Sequence, residues 1–461
     1  MPGRNYLLAA ALLASVLASL DLFVVNLAFA SISESFPVAT PQTMSWILNA
    51  YGIAFAALLV PSGRLADRFG RLRLFRLGLV LFGAGSLLAA LAPGVAVLIG
   101  ARGIQGGGAA LIVPTSLALL LGQYQRPQHK KMVSIWSASG SVAAAGGPVL
   151  GGLLSEYDWR WIFVINVPIA ILALLLTTFL KEEPRQETRT PDLFGVALLA
   201  VAIGALVTAL SYVSNWGFAS PGLWGTVTVS IGTIVWFVRR CLNHASPAVD
   251  LRVFRTTSFS VAAVGMAGFY IGFAVMLLGG SLFLTNVWAW SPVIAGLGFS
   301  VGPGTAVVAA LIAGRTRRAP RWLAGLGSVL FVLGGTLWYF LLNDGHNSIP
   351  VMFAGLALTG AGAGIAQTGF LAGGVSGLQP DSYAAGTGVL NTARQIGSAL
   401  GVAALIAIVG AGTTASSYRF AWIVLASSGL VGILSALLIR EQFNDPVTSA
   451  EDGEIESVSP L

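Results

Sequence analysis

Charge is what this chain of 461 residues lacks: only 9% of its residues are Asp, Glu, Lys or Arg, while 56% are hydrophobic. Soluble domains carry about 25% charged residues. Water cannot wet so uncharged a surface, which makes the bilayer the solvent. Cysteine is nearly absent too. Cys241 stands alone, which excludes an internal disulfide framework and leaves the redox compartment open. The histidines His129, His244 and His346 are dispersed over predicted loops and make no metal site. No Walker-type phosphate loop and no Ser/His/Asp or Cys/His set is recognisable. An enzyme, a built-in ATPase and a resident cofactor are therefore not expected. The first apolar stretch, from about Tyr6 to Ala30, has neither a short h-region nor a small-residue cleavage site, and reads as a retained span.

Long hydrophobic runs are what is present. A membrane helix needs about 20 apolar residues. Breaks at charge clusters, turns and polar runs give fourteen segments: 6–30, 43–62, 74–92, 95–121, 131–155, 160–180, 192–213, 222–240, 257–287, 292–314, 320–341, 349–374, 384–411 and 417–439. The segments 192–213 and 222–240 read as the shorter ones. Basic residues test the count, because Lys and Arg accumulate on the cytoplasmic side. With a cytoplasmic N-terminus, 21 of the 25 Lys and Arg residues fall inside. They are Arg4, Arg64, Arg68, Arg71, Arg73, Arg76, Arg126, Lys130, Lys131, Lys181, Arg185, Arg189, Arg239, Arg240, Arg252, Arg255, Arg315, Arg317, Arg318, Arg321 and Arg440. Outside lie Arg160 and Arg419; Arg102 and Arg394 fall within spans. A miscounted helix would scramble this alternation. The net charge of +7 is thus an orientation signal, and nucleic-acid binding is not expected.

The fold class that follows is an all-α membrane protein of fourteen spans with both termini cytoplasmic. A six-helix bundle over 1–181 and another over 257–440 flank a linker, 182–256, with two extra spans. The turn GRLADRFGRLR (63–73) has a degraded counterpart, GRTRRAPR (314–321), which hints at an internal repeat. The tail 441–461 holds Glu441, Asp445, Glu451, Asp452, Glu454 and Glu456 without a base, and is expected to be disordered in the cytoplasm.

Of 18 acids, only Asp21 falls well inside a span. A charge at the bilayer centre costs at least roughly 3 kcal/mol, so such a residue faces the protein interior and serves a purpose. Burial raises a carboxyl pKa and a nearby cation lowers it, which suits proton loading; a helix-packing hydrogen bond is the plainer reading. Arg102 is the matching cation. It shares a helix face with Gln105 and Gly106 in RGIQGGGAA, and either meets Asp21 or snorkels to a bilayer face. In GVLNTARQIGSALG (388–401), Asn391, Arg394, Gln395 and Ser398 form a polar stripe that serves a helix network or a substrate. In GSVAAAGGPVLGG (140–152), Gly140, Ala144, Pro148 and Gly152 recur every four residues, as do Gly147 and Gly151. Small ridges permit close helix packing, and Pro148 favours a kink. In the turn at 63–73, glycines bend the chain and arginines hold it at headgroups, while Asp67 is free to cap or pair. Asn26, Trp46, Asn49, Tyr51, Trp136, Tyr270, Gln367 and Asn391 complete the polar and aromatic groups that either line a cavity or pack.

These motifs together resemble the major facilitator superfamily, and within it the fourteen-span drug:proton antiporters. GRLADRFGRLR is similar to the superfamily's loop between spans two and three, RGIQGGGAA to its span-four motif and GGPVLGG to the antiport motif of span five. LDLFVVNLA (20–28), WILNAY (46–51), WRWIFVINVP (159–168) and GVLNTARQIGSALG resemble further patterns of the group. Phe23 and Phe29–Ala30 depart from the span-one motif, and the C-terminal spans lack an acid, which disfavours a multivalent cation as cargo.

The resemblance implies two bundles rocking about a central site, with the extra pair peripheral. It implies proton coupling through Asp21 and Arg102, and a latch of Gly63, Asp67, Arg68, Gly70 and Arg71 in which Asp67 meets the start of span thirteen. Gly147, Pro148, Gly151 and Gly152 would form the antiport motif, and Gln105 and Arg394 join the cavity set. The expected function is export of a small amphipathic drug or antibiotic in exchange for protons. A monomer in a bacterial inner membrane is the expected setting. The alternatives are export of an endogenous metabolite or siderophore-like compound, and a non-transporting sensor or scaffold.

Overall fold

Helices begin where the sequence places a capping side chain and a proline ahead of an apolar run. Thr40 Oγ1 accepts from the Thr43 amide at 3.2 Å, with Pro41 first in the helix; a missing N–H costs nothing there. Ser220–Pro221 and Ser291–Pro292 repeat the device. Gly70 has φ +102°, a conformation that L side chains rarely adopt. It lets one helix end at Phe69 and the next start at Arg71 with no loop between.

The computed structural model describes residues 2–180, 190–316, 318–379, 382–410 and 412–439. Its helices are α1 (Pro2–Ser35), α2 (Pro41–Phe69), α3 (Arg71–Ala90), α4 (Val95–Gly122), α5 (Arg126–Tyr157), α6 (Trp161–Val164), α7 (Asn166–Thr177), α8 (Leu193–Trp216), α9 (Pro221–Asn243), α10 (Thr257–Ala274), α11 (Gly280–Leu282), α12 (Pro292–Phe299), α13 (Val301–Arg315), α14 (Pro320–Leu341), α15 (Ile349–Val375), α16 (Tyr383–Val409) and α17 (Ala415–Leu438). Two π-helical turns, Val275–Gly279 and Phe283–Val287, extend α10 and α11 into one rod.

Among the described residues, 12 helices are long and apolar enough to cross a membrane. Two of the fourteen expected segments fall outside that set. The fifth, α5, is diluted by glycine, serine and its polar first turns, and the sixth, Trp161–Thr177, is short and interrupted at Ile165. The extra pair, read as shorter, measures 24 and 23 residues, longer than α3 at 20. Their polar ends, Ser214 and Asn215 in α8 and Arg239 and Arg240 in α9, remain helical although they look like loop. The acidic tail and Lys181, Arg185, Arg189, Arg317 and Arg440 lie outside the described residues.

In the first bundle α1 packs on α5 and α7, and α4 on α2 and α3; in the second α15 packs on α13 and α14, and α10 on α16 and α17. The bundles meet where α2 lies on α16 and α5 on α12. The chain path creates a basic end, where α1 starts and Arg64, Arg68, Arg71, Arg239 and Arg240 collect, and a distal end with Arg160 and Arg419.

Glycine makes the α5–α12 crossing possible. A Cβ on Gly152 would strike the Pro292 carbonyl, and one on Gly296 would strike the Pro148 carbonyl. The backbones therefore touch directly. Nearby, Ser281 Oγ donates to the Asn26 carbonyl at 3.4 Å. Nearer the middle, Thr392 Oγ1 donates to the Ala56 carbonyl at 3.1 Å, linking α16 to α2.

The extra pair is less peripheral than expected. Only α9 is outermost; α8 lies against both α2 and α16 and so spans the bundle interface. Its polar ties reach α2: Gln42 Nε2 donates to Asn215 Oδ1 at 2.8 Å, and Thr43 and Tyr212 share a hydroxyl contact of 3.5 Å. At the basic end Arg64 donates to the Pro247 carbonyl.

Candidate functional site

Asp21 sits mid-way along α1 and is 1% exposed; Arg102 on α4 is equally buried. Arg102 Nη1 donates to Asp21 Oδ2 at 2.6 Å. The other carboxylate oxygen accepts from Gln105 Nε2 at 3.2 Å and Asn166 Nδ2 at 3.1 Å. Gln105 also donates to Ser86 Oγ at 2.7 Å. One carboxylate thus ties α1 to α4 and α7, and through Gln105 to α3.

Arg102 has partners besides the acid. Its Nε donates to the Ile47 carbonyl at 3.0 Å and Nη1 to Gln105 Oε1 at 2.9 Å. Its guanidinium carbon lies 4.4 Å from the Tyr51 ring centroid, within cation–π range. The glycines of α4 allow this closeness: a Cβ on Gly106 would collide with the Tyr51 backbone, and one on Gly108 with Phe82. Protonating Asp21 would remove one partner of a cation that keeps a carbonyl, an amide and a ring. Removing a partner from a buried pair is otherwise costly, about 3–5 kcal/mol.

The structure brings together Asp21, Arg102, Gln105 and Tyr51. Asn166 and Ser86 belong to the same cluster and were not singled out by sequence. Asn166 lies within WRWIFVINVP, where an amide in an apolar run was the available signal. Its Oδ1 is buried without a partner.

The remaining expected residues divide among other places. Asn26 turns back onto the Leu22 carbonyl at 2.7 Å. Trp46 faces α8 at Gly204. Trp136 donates to Ser116 Oγ at 3.2 Å, and its carbonyl accepts from Ser15; it packs with Leu8, Met132 and Leu120 in the first bundle. Asn49 is buried with both amide atoms unpartnered. Asn391 donates to the Thr387 carbonyl one turn back.

In the second bundle Tyr270 donates to Gln367 Oε1 at 2.6 Å, and the Arg394 guanidinium lies 5.6 Å from the Tyr270 ring centroid. Asp67 accepts from Arg71 Nε and Nη2 at 3.1 and 3.0 Å, across Gly70. A Cβ on Gly63 would meet nothing. Arg68 has the Phe69 ring beside it. The expected meeting of Asp67 with the start of span thirteen falls where residues 380 and 381 lie outside the described residues.

The span-five glycines face two ways. Gly147 and Gly151 press on Phe23 and Val24 of α1, while Gly152 and the Pro148 carbonyl press on α12. The helix stays continuous through Pro148. A distal depression of about 290 Å³, lined in part by Phe29, Met44, Leu282 and Ile406, does not reach the Asp21 cluster.

Two curated relatives span most of the chain. The multidrug resistance protein Stp of Mycobacterium tuberculosis is 31% identical over 95% of this chain and 85% of its own length. The puromycin resistance protein Pur8 of Streptomyces alboniger is 33% identical over 90% and 83%. A bacterial homolog of the human lysosomal transporter Spinster superposes with a TM-score of 0.66 at 17% identity, covering 95% of this chain and 98% of that one. A D-xylose–proton symporter superposes with 0.64 at 15% identity, covering 94% and 97%; at such identities the likeness speaks for the fold. The family model described as Major Facilitator Superfamily matches residues 11–402, so this chain belongs to that superfamily, whose members are transporters and not enzymes.

Proposed function

We propose that this protein exports a small amphipathic drug-like compound across a bacterial inner membrane, driven by protons moving inward through Asp21. The observation that carries the reading is the carboxylate–guanidinium pair Asp21–Arg102, sealed inside the first bundle at 2.6 Å. A buried pair is weak support for stability and, at membrane depth, a mark of function. The names of Stp and Pur8 support drugs as the class of cargo.

The geometry suggests how a proton acts at a distance. Asp21 and Asn26 stand on the same helix, little more than one turn apart, and the Asn26 carbonyl holds Ser281 of the second bundle. Leu27, one residue on, lies against Gly296. With protons moving inward, Asp21 takes its proton while the distal end is open and releases it while that end is closed. Re-forming the Asp21–Arg102 pair is then the step that readies α1 to open the distal end with cargo. Fourteen spans with both termini in the cytoplasm complete the proposal, with α5 and α6–α7 as the fifth and sixth spans. It takes a monomer, an Asp67 latch to span thirteen, and bundles at 1–181 and 257–440. The distal end then faces outward, where α5 lies on α12 and Ser281 holds the Asn26 carbonyl.

The test uses vesicles of wild-type and Asp21→Asn protein with an imposed pH gradient, and ethidium among a panel of toxic compounds. Wild type should extrude at least one compound, with loss on adding an uncoupler, and Asp21→Asn should not, at equal membrane abundance. Wild-type rates in Asp21→Asn defeat the coupling; no extruded compound across the panel defeats export.

A further inference from the structure

Arg394 is a cation without an acid. It lies near the middle of the 27-residue α16. From Thr257 to Ile439 the sequence has two carboxylates, Asp344, which lies in the loop after α14, and Asp381, which lies outside the described residues. The one acid buried at this depth in the first bundle, Asp21, is held by Arg102. Arg394 makes no ion pair among the described residues, and its Nε is buried without a hydrogen-bond partner. An intramembrane arginine stays charged and requires a counter-charge or acceptors.

Arg394 has one neutral acceptor beside it, the Tyr270 hydroxyl oxygen, and Gln367 adds donors. Tyr270 spends its hydroxyl hydrogen on Gln367 Oε1, which leaves the two amide hydrogens of Gln367 to donate elsewhere. Arg394 stands over the Tyr270 ring, and Phe273 lies 5.0 Å from Tyr270, centroid to centroid, as an aromatic wall. The guanidinium is also near enough to Tyr51 of the first bundle for the two to interact electrostatically. It therefore looks across the junction between bundles, where a rocking transporter holds its cargo.

We propose that Arg394, with Gln367 and the Tyr270–Phe273 wall, forms the subsite for an ionised acidic group on an aromatic amphipathic substrate, a carboxylate, sulfonate or phenolate. A cluster rich in donors with one uncompensated positive charge favours an anion and repels a cation. The substrate is then an organic acid and not a cationic dye. An inside-negative potential helps to expel an anion, so such cargo moves with both parts of the proton-motive force. The inference rests on the export reading and narrows its substrate class.

The test compares dansylglycine with its uncharged amide, which shares its aromatic body. Binding to purified protein in detergent is read by dansyl fluorescence, and uptake is measured into proteoliposomes under a pH gradient, with ethidium as a third substrate. Wild type should bind the carboxylate at least about tenfold more tightly than the amide, a 1.4 kcal/mol preference. Arg394→Gln should erase that ratio, and Arg394→Lys should keep part of it. Equal binding of both dansyl probes by wild type overturns the subsite, as does an unchanged ratio in Arg394→Gln. Ethidium transport without any dansylglycine transport overturns the subsite and leaves export standing. Transport of none of the three overturns the export reading beneath it.

Discussion

Gly296 of α12 has no room for a side chain because the Pro148 carbonyl of α5 lies against it, and Gly152 of α5 meets the Pro292 carbonyl in the same way. Both obstacles are backbone, so neither can swing aside. Overpacking costs about 1–3 kcal/mol, and here it falls on the state in which the distal end is shut. Gly152→Ala and Gly296→Ala should each slow export about tenfold or more, at 1.4 kcal/mol per decade. Gly146→Ala, with open space around it, should change little. In a Cys241→Ala background, Asn26→Cys should react faster with an impermeant thiol reagent once either wedge is added. Unchanged labelling would show that this crossing is not a gate.

Asp21 and Arg102 make a second prediction through their asymmetry. Asp21→Asn leaves a buried cation without its counter-charge, a loss of about 3–5 kcal/mol in comparable pairs. The Ile47 carbonyl, Gln105 and the Tyr51 ring reduce that loss. Thermal unfolding in detergent should show Asp21→Asn and Arg102→Gln each lowering the midpoint. The double variant should recover part of the fall, with a coupling of about 1–3 kcal/mol. Strictly additive shifts would mean that the two side chains do not act as a pair.

The alternation of basic loops was readable because it sums over many positions, and one misplaced helix would have spoiled it. The partner of Arg102 was readable for a different reason: away from their ends, the predicted spans contain one acid, Asp21. Contacts between helices were less legible. Gly147, Gly151 and Gly152 have the same composition signal, yet the first two face α1 and the third faces α12. Periodicity sorts small residues into ridges and does not say which helix fills the groove. Asn166 escaped notice because an amide in an apolar run looks the same whether it meets a carboxylate or its own backbone. The seating of α8 on α2 brings Gln42 to Asn215, 173 positions away, and its packing on α16 joins segments about as far apart; no local pattern encodes either.

That reach supports a prediction about motion. The polar ties of α8 run to α2 through Gln42–Asn215 and Thr43–Tyr212, and Arg64 adds the Pro247 carbonyl at the basic end. The extra pair should ride with the first bundle while α16 slides past it. In a Cys241→Ala background, a Gln42→Cys/Asn215→Cys disulfide should leave most export intact. An Ala56→Cys/Thr392→Cys disulfide joins the bundles where Thr392 now meets the Ala56 carbonyl. It should stop export until a reductant is added. Blocked export with the first cross-link would place the extra pair with the other bundle, and free export with the second would mean that α2 and α16 do not part during transport.

Asp192 sets the pH dependence of that same pair. It caps α8, accepting from the Gly195 amide at 3.0 Å, and receives Arg240 Nε of α9 at 2.5 Å. Burial pushes its carboxyl pKa up; the Arg240 and Gly195 hydrogen bonds and the nearby cations outweigh that and hold it below the ordinary carboxylate value. A carboxyl with a depressed folded pKa contributes stability above its unfolded pKa, and the contribution is lost as pH falls through the folded pKa. The α8–α9 pair should therefore be firmly docked at neutral pH and loosen only below the normal carboxylate range. Asp192→Asn keeps a side-chain oxygen for the Gly195 amide, since Asn caps about as well as Asp, but loses the charge that holds Arg240, and should lower the unfolding midpoint at neutral pH by a small, measurable amount. The gap between variant and wild type should close as the medium is acidified. A gap that persists at low pH would mean that the Asp192 charge contributes nothing to holding the pair, and that its fit against the start of α8 acts alone.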